Sequence, residues 1–221
     1  DAERGYLSRK AAALRVRNVL RVLYDHPQGP DRIGTIGYKG FFYHFLGIDG
    51  LRKLNFDFKE TTDIDESLNT VELSTIDTAL AIAGVVTAGQ YFNGNSDIEK
   101  EIRDLADRIY ARVDWKFMLD DARFTDTKQF FLSWKPNESR DDDSGRFGRC
   151  KLNDDSYNPK GQYSSKKDSN GVEIPATLDY YTDEGLLIAL LAMGSPDPNH
   201  RLGREVWDAL IREDENGLFV K

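Results

Sequence analysis

The chain has 221 residues, enough for one domain with a sizeable core or two small ones. Acidic residues outnumber basic ones 38 to 30, a net charge of −8, and no cluster of Lys and Arg with interleaved aromatics offsets it. That charge argues against a nucleic-acid partner.

In chain order, residues 8–25 read as an amphipathic helix. Ala11, Leu14, Val16, Leu20 and Leu23 form its apolar side, Arg9, Arg15, Arg17 and Arg21 face outward, and Asp25-His26-Pro27 stops it. Residues 29–70 are rich in turns and hold the aromatic segment GFFYHFL at 40–46, expected to be extended and packed beside the next helix. A helix over 73–92 follows, opened by Ser74-Thr75-Ile76-Asp77 in the Ser-x-x-acid pattern and closed at Gly94. Its run over 78–89 is apolar nearly all round, which marks a buried inner helix, and it is too short to span a bilayer.

A further helix is expected from Asp97 to Val113, with Ile98, Ile102, Leu105, Ile109 and Val113 at helical spacing and Ser96-Asp97 as its cap. From 120 to 180 the composition shifts to Asp, Asn, Ser, Gly and Lys, punctuated by aromatic pieces such as FFLSW at 130–134. It reads as a long polar loop insertion. Helices return over 183–193 and 200–213, joined by Gly194-Ser195-Pro196. The pattern has about five helices and no βαβ alternation, so the fold class is all-α with a few short strands. Successive hairpins of buried and half-exposed helices suggest a helical toroid or solenoid, and residues 214–221 end without a capping element, so the array reads as unfinished. The chain starts at Asp1 with neither Met nor a signal peptide, so it reads as processed or cut from a longer one.

Two places concentrate carboxylates at helix mouths. Glu72 and Asp77 stand before the first inner helix, where Asp77 completes a capping box on Ser74 or serves as a general acid or base. Asp183 and Glu184 follow Tyr180, Tyr181 and Thr182 and open a second apolar helix. They are first-turn residues behind a Thr182 cap, or chemistry. What favours chemistry is the repetition of acids flanked by aromatics. Paired carboxylates beside tyrosine and tryptophan suit glycosidic cleavage, one protonating the leaving oxygen while the other activates water.

His44 is a structural hydrogen-bonder or a sugar-hydroxyl contact. No His or Cys pair has metal-ligand spacing, so no metal site is expected, and residues 63–69 start like a calcium loop but lack its sixth-position Gly and twelfth-position acid. The lone cysteine, Cys150, has no partner for an intrachain disulfide and no base to activate it, and it leaves the redox compartment open.

Several segments in order carry a family resemblance: GFFYHFL at 40–46, ELSTIDTAL at 72–80, AGQYF at 88–92, YARVDW at 110–115 and AMGSP at 192–196. Together they resemble the glycoamylase-like domain family. It includes the bacterial endo-β-1,2-glucanases of glycoside hydrolase family 144 and the transglycosylating domain of cyclic β-1,2-glucan synthases. The resemblance covers most of residues 35–210. It implies an (α/α)6 toroid with its pocket at one end of the inner helices, β-1,2-linked glucan as substrate, no cofactor, and a periplasmic or secreted location. The whole chain, 1–221, would be part of one such catalytic domain, about its first half, with the remaining helices supplied by a second chain or a continuation. Glu72 and Glu184 would be the principal carboxylates and Asp77 would position substrate or water. Phe41, Tyr43, His44, Trp115, Trp134, Tyr181 and Asp183 would line or support the glucan cleft. The 120–180 segment is longer and more polar than the family's and would form a lid or rim.

The expectation is hydrolysis of a β-linked glucan with inversion, which needs the two working carboxyl oxygens roughly 6.5–9.5 Å apart. The alternatives are transglycosylation on the same fold and a glycan-binding subunit without catalysis.

Overall fold

Three serines set where the helices begin. In the computed structural model, which describes residues 2–31, 33–53, 71–121, 127–136, 146–147, 177–178 and 184–211, Ser8, Ser74 and Ser96 each precede a helix by one residue. Their hydroxyls accept the amides of Ala11, Asp77 and Glu99 at 3.2, 3.2 and 3.3 Å, which satisfies donors that a helix start leaves unpaired. The helices are α1 (Arg9–Asp25), α2 (Thr75–Tyr91) and α3 (Asp97–Ala111), followed by the apolar α4 (Glu184–Gly194) and the short α5 (Glu205–Ile211).

α2 packs against both α3 and α4, while α1 lies against α3 and α5 against α4. The helix without a polar face is thus placed between neighbours, and the amphipathic ones lie outside it. Thr75, Thr78, Ala79, Ile82, Val85 and Gly89 of α2 are buried, yet Leu80 on α2 and Leu190 on α4 stay half exposed. Charges tie the outer pair: Arg9 meets Glu99, and Arg21 meets Glu101 at 2.5 Å. The ends of α1 and α3 are joined by Arg112, whose guanidinium donates to the carbonyls of Leu23 and Tyr24 and so fills acceptors at the α1 terminus.

Five very short strands form one antiparallel sheet in chain order: β1 (Gly37–Tyr38), β2 (Phe41–Tyr43), β3 (Leu73–Ser74), β4 (Ser133–Lys135) and β5 (Arg146–Phe147). Lys39 and Gly40 make the two-residue β1–β2 turn with φ of 56° and 84°, the left-handed pair that matches the twist of a tight hairpin. The turn presses on the end of α3, where a Cβ on Gly40 would fall 2.4 Å from the Arg112 carbonyl oxygen. On the sheet, Tyr38, Phe41, Trp115, Phe117 and Trp134 build an aromatic cluster with ring centroids 5.1–6.4 Å apart.

The outline follows the sequence expectation, with four local differences. The helix expected over 73–92 ends at Tyr91, and Gly94 lies beyond it with its amide held by the Glu99 carboxylate. The helix expected over 97–113 ends at Ala111 and is followed by a 3₁₀ turn at Trp115–Met118. The helix expected over 200–213 begins only at Glu205, because residues before it are spent on turn bonds such as Leu202 N–H to the Ala192 carbonyl at 3.0 Å. Within the polar 120–180 segment, β4 and β5 join the sheet and Phe130, Phe131 and Trp134 are buried. Among the described residues no helix is long and apolar enough to cross a membrane.

Candidate active site

The β2–β3 register pairs Phe42 with Ser74 and Tyr43 with Leu73. One step beyond the last rung it sets His44 opposite Glu72, and the His44 amide donates to the Glu72 carbonyl at 2.9 Å. Residues opposite one another in an antiparallel pair project to the same face. The side chains therefore meet, with His44 Nδ1 2.8 Å from Glu72 Oε1.

Asp77 reaches the same ring from the helix. Ser74 is both the end of β3 and the cap of α2, and the Asp77 side chain folds back over that cap. The Ser74 hydroxyl accepts the Asp77 amide and donates to Asp77 Oδ2 at 2.5 Å. The same oxygen lies 3.4 Å from His44 Nε2. An imidazole thus stands between two carboxylates, one against each nitrogen. Phe45 stacks on that ring at 4.2 Å and 12°, fixing its plane.

The two elements that carry these groups are clamped together. Thr78 Oγ1 accepts the Phe42 amide at 2.9 Å and donates to the Ser74 carbonyl at 2.6 Å, while Thr75 Oγ1 donates to the Phe131 carbonyl at 2.7 Å. Behind the strand, buried Arg52 donates twice to the Val71 carbonyl, at 2.9 and 2.6 Å, and lies over the Tyr43 ring. The side chains of His44, Glu72 and Asp77 remain 33%, 19% and 40% exposed, so a ligand can touch all three. Two carboxylates and an imidazole on a rigid support are groups able to give and take protons at a substrate oxygen. Among the described residues no three His, Cys, Asp or Glu side chains are arranged to hold a metal ion.

The structure brings together three of the residues singled out from sequence, Glu72, Asp77 and His44. Phe41, Tyr43, Trp115 and Trp134 sit elsewhere: at 0–3% exposure they belong to the core and brace the sheet from within. Rings so enclosed support the cluster and present no face to a sugar. The reason is the sheet itself, whose small area needs aromatic packing to hold together. Glu184 is the first residue of α4, with its side chain outside the described residues, as are Tyr181, Asp183 and Cys150. Sequence reasoning did not single out Ser74 as the donor to Asp77 Oδ2, nor Thr78 as the clamp on β2. The Ser-x-x-Asp pattern held the first signal, while the second depends on a pairing that local sequence does not encode.

No protein-family model matches the chain. Among curated proteins, 64 residues are 31% identical to an exo β-1,2-glucooligosaccharide sophorohydrolase (non-reducing end) from Parabacteroides distasonis, a stretch amounting to 29% of this chain and 8% of that protein. Among solved structures, the chain is similar to a β-1,2-glucanase from Parabacteroides distasonis with a TM-score of 0.61 and 18% identity, over 97% of this chain and 23% of that one. It is similar to an endo-β-1,2-glucanase from Chitinophaga pinensis, solved with sophorotriose and glucose, with a TM-score of 0.55 and 17% identity, over 94% and 35%. A candidate glucoamylase from Bacteroides uniformis gives 0.54 and 18%, over 94% and 36%. The chain therefore spans only about a quarter to a third of the length of these structures. The likeness read from the motifs is borne out, and nearly the whole of this chain matches a part of the fold found in glucoamylase-like proteins and β-1,2-glucanases.

Proposed function

We propose that the chain is the part of a glycoside hydrolase that carries one wall of its catalytic pocket, and that the substrate is a β-linked glucan, most plainly β-1,2-glucan. The observation that carries this reading is the meeting of Glu72 and Asp77 on His44 at the mouth of the apolar helix α2. Support comes from the fold shared with β-1,2-glucanases and from the sequence match to a sophorohydrolase. On this reading α2 and α4 are inner helices of an (α/α)6 toroid, completed by a continuation or a second chain. Glu72 and Glu184 are the principal carboxylates, and Asp77 positions substrate or water. Cleavage proceeds with inversion, one carboxylic acid protonating the leaving oxygen while a carboxylate takes a proton from the attacking water. A protein that degrades such a glucan works in the periplasm or outside the cell.

The test is a panel of linear β-1,2-, β-1,3-, β-1,4- and α-1,4-glucans, with the anomer of the first product followed by NMR. Release of α-anomeric product from β-1,2-glucan, abolished by Glu72→Gln and by Glu184→Gln, is the expected result. Cleavage of the α-glucan alone overturns the substrate, and a β-anomeric product overturns inversion.

A further inference from the structure

A cleft of about 660 Å³, within the range usual for small-molecule sites, shares no residue with the His44 cluster. Its walls are the ends of α1 and α3 and the turn between α4 and α5, where Asp197 and His200 lie. Internal bonds fix these walls. Arg112 donates to the Leu23 and Tyr24 carbonyls, and Arg108 lies over the Tyr24 ring at 4.6 Å. His200 Nδ1 donates to the Ala111 carbonyl at 2.8 Å, so Nε2 is the ring nitrogen left for a ligand. Asp197 Oδ1 takes the Asn199 amide at 2.8 Å, while its Oδ2 stands 3.7 Å from His200 Nδ1, beyond hydrogen-bond reach. Among the described residues, neither the Asp25 carboxylate nor the Tyr24 hydroxyl has a hydrogen-bond partner.

The lining carries two guanidinium groups, Arg108 and Arg112, and two carboxylates, Asp25 and Asp197. An anion would meet the carboxylates, a cation the guanidinium groups, and an apolar ligand would strip water from all four. A neutral molecule with many hydroxyls suits every one of them, because each hydroxyl can donate to a carboxylate and accept from a guanidinium. We infer that the cleft is an accessory binding site for a neutral oligosaccharide. Asp25, Asp197 and His200 Nε2 accept its hydroxyl hydrogens, while Arg108 and the Tyr24 hydroxyl donate to its oxygens. The choice of sugar rests on the hydrolase reading above, on which the ligand is a β-1,2-linked gluco-oligosaccharide. A site that grips a glucan without cutting it keeps a polymer on the protein between cleavage events.

Histidine-ring NMR on the intact chain tests this, since it has three histidines and His200→Asn identifies the signal of the cleft. Sophorotriose, maltotriose and inorganic phosphate are titrated separately into the Glu72→Gln variant, which keeps the sugar uncut. The expected result is a saturable shift of the His200 signal with sophorotriose. Asp25→Ala and Arg108→Ala should each weaken that binding about 10-fold. Asp25→Ala removes no hydrogen bond or ion pair within the protein, so its effect cannot come from unfolding. A His200 signal unmoved by either sugar overturns the proposal, whether or not His44 responds. So does a response to phosphate alone, or a sugar response that both variants leave unchanged. If only maltotriose moves His200, the accessory site stands and the β-1,2 assignment falls. If His200 responds to sophorotriose while His44 stays silent, the accessory site stands and the hydrolase reading loses its pocket.

Discussion

Thr78 on the first turn of α2 accepts the amide of Phe42 on β2 at 2.9 Å, so the helix that carries Asp77 and the strand that leads to His44 move as one piece. Both groups are buried and lie 36 residues apart in sequence. Thr78→Val keeps the shape but leaves the Phe42 N–H without its acceptor, at a cost of about 1–3 kcal/mol. Urea denaturation should show that loss, and glucan cleavage should fall further than stability alone requires because the His44–Asp77 spacing is released. A variant as stable as wild type would mean that the strand finds another acceptor.

Ser74 and Ser96 make the same cap on different helices, which separates capping from site geometry. Ser74→Ala and Ser96→Ala should each lose about 1 kcal/mol in urea denaturation. Only Ser74 also donates to a site carboxylate, Asp77 Oδ2. Cleavage rates should therefore drop in Ser74→Ala and stay near wild type in Ser96→Ala. Equal rates in the two variants would remove Ser74 from the site.

How much of this was legible follows from what local sequence encodes. The helices of residues 8–25 and 97–113 announced themselves by periodicity, the helix of 73–92 by its apolar run, and Ser74 and Ser96 marked two of the starts; all three fall within two residues of the expected bounds. Glu72 and Asp77 were visible as acids at a helix mouth. Their meeting at His44 was not, because it depends on the β2–β3 register between segments nearly 30 residues apart. Which of the aromatics line the cleft and which support it was hidden for a related reason. Phe41, Trp115 and Trp134 suit a sugar platform or a core equally well by residue type, and only the packing of five very short strands assigns them to the core.

Gly40 carries the hairpin against α3, and the chain supplies its own control. Gly34 and Gly40 both have φ near 80°, but a Cβ on Gly34 meets nothing within 4 Å while one on Gly40 would strike the backbone of Arg112 and Val113. Gly34→Ala should cost roughly 1–2 kcal/mol for the left-handed backbone alone. Gly40→Ala should cost clearly more, and the difference in urea midpoint reports the crowding. Equal costs would show that the hairpin can lift off α3 freely.

The α1–α3 contact should weaken in acid, through Glu99. Arg9 donates to its two oxygens at 2.9 and 3.3 Å, and the Gly94 amide adds a third donor. The hydrogen bond from Arg9, helped by the Gly94 amide and by the charges of Arg9 and Arg103, holds the Glu99 carboxyl below its ordinary value of 4.5 against the opposing effect of burial. A carboxylate favoured in the folded state stabilises fully above its unfolded value, and that stabilisation fades as pH falls through the lower folded one. The gap in urea midpoint between wild type and Glu99→Gln should hold from neutral pH down to the ordinary value of 4.5 and narrow progressively as pH falls below it. A gap that does not narrow at all below 4.5 would assign the contribution to the neutral hydrogen bonds of the Gly94 loop and not to the ion pair with Arg9.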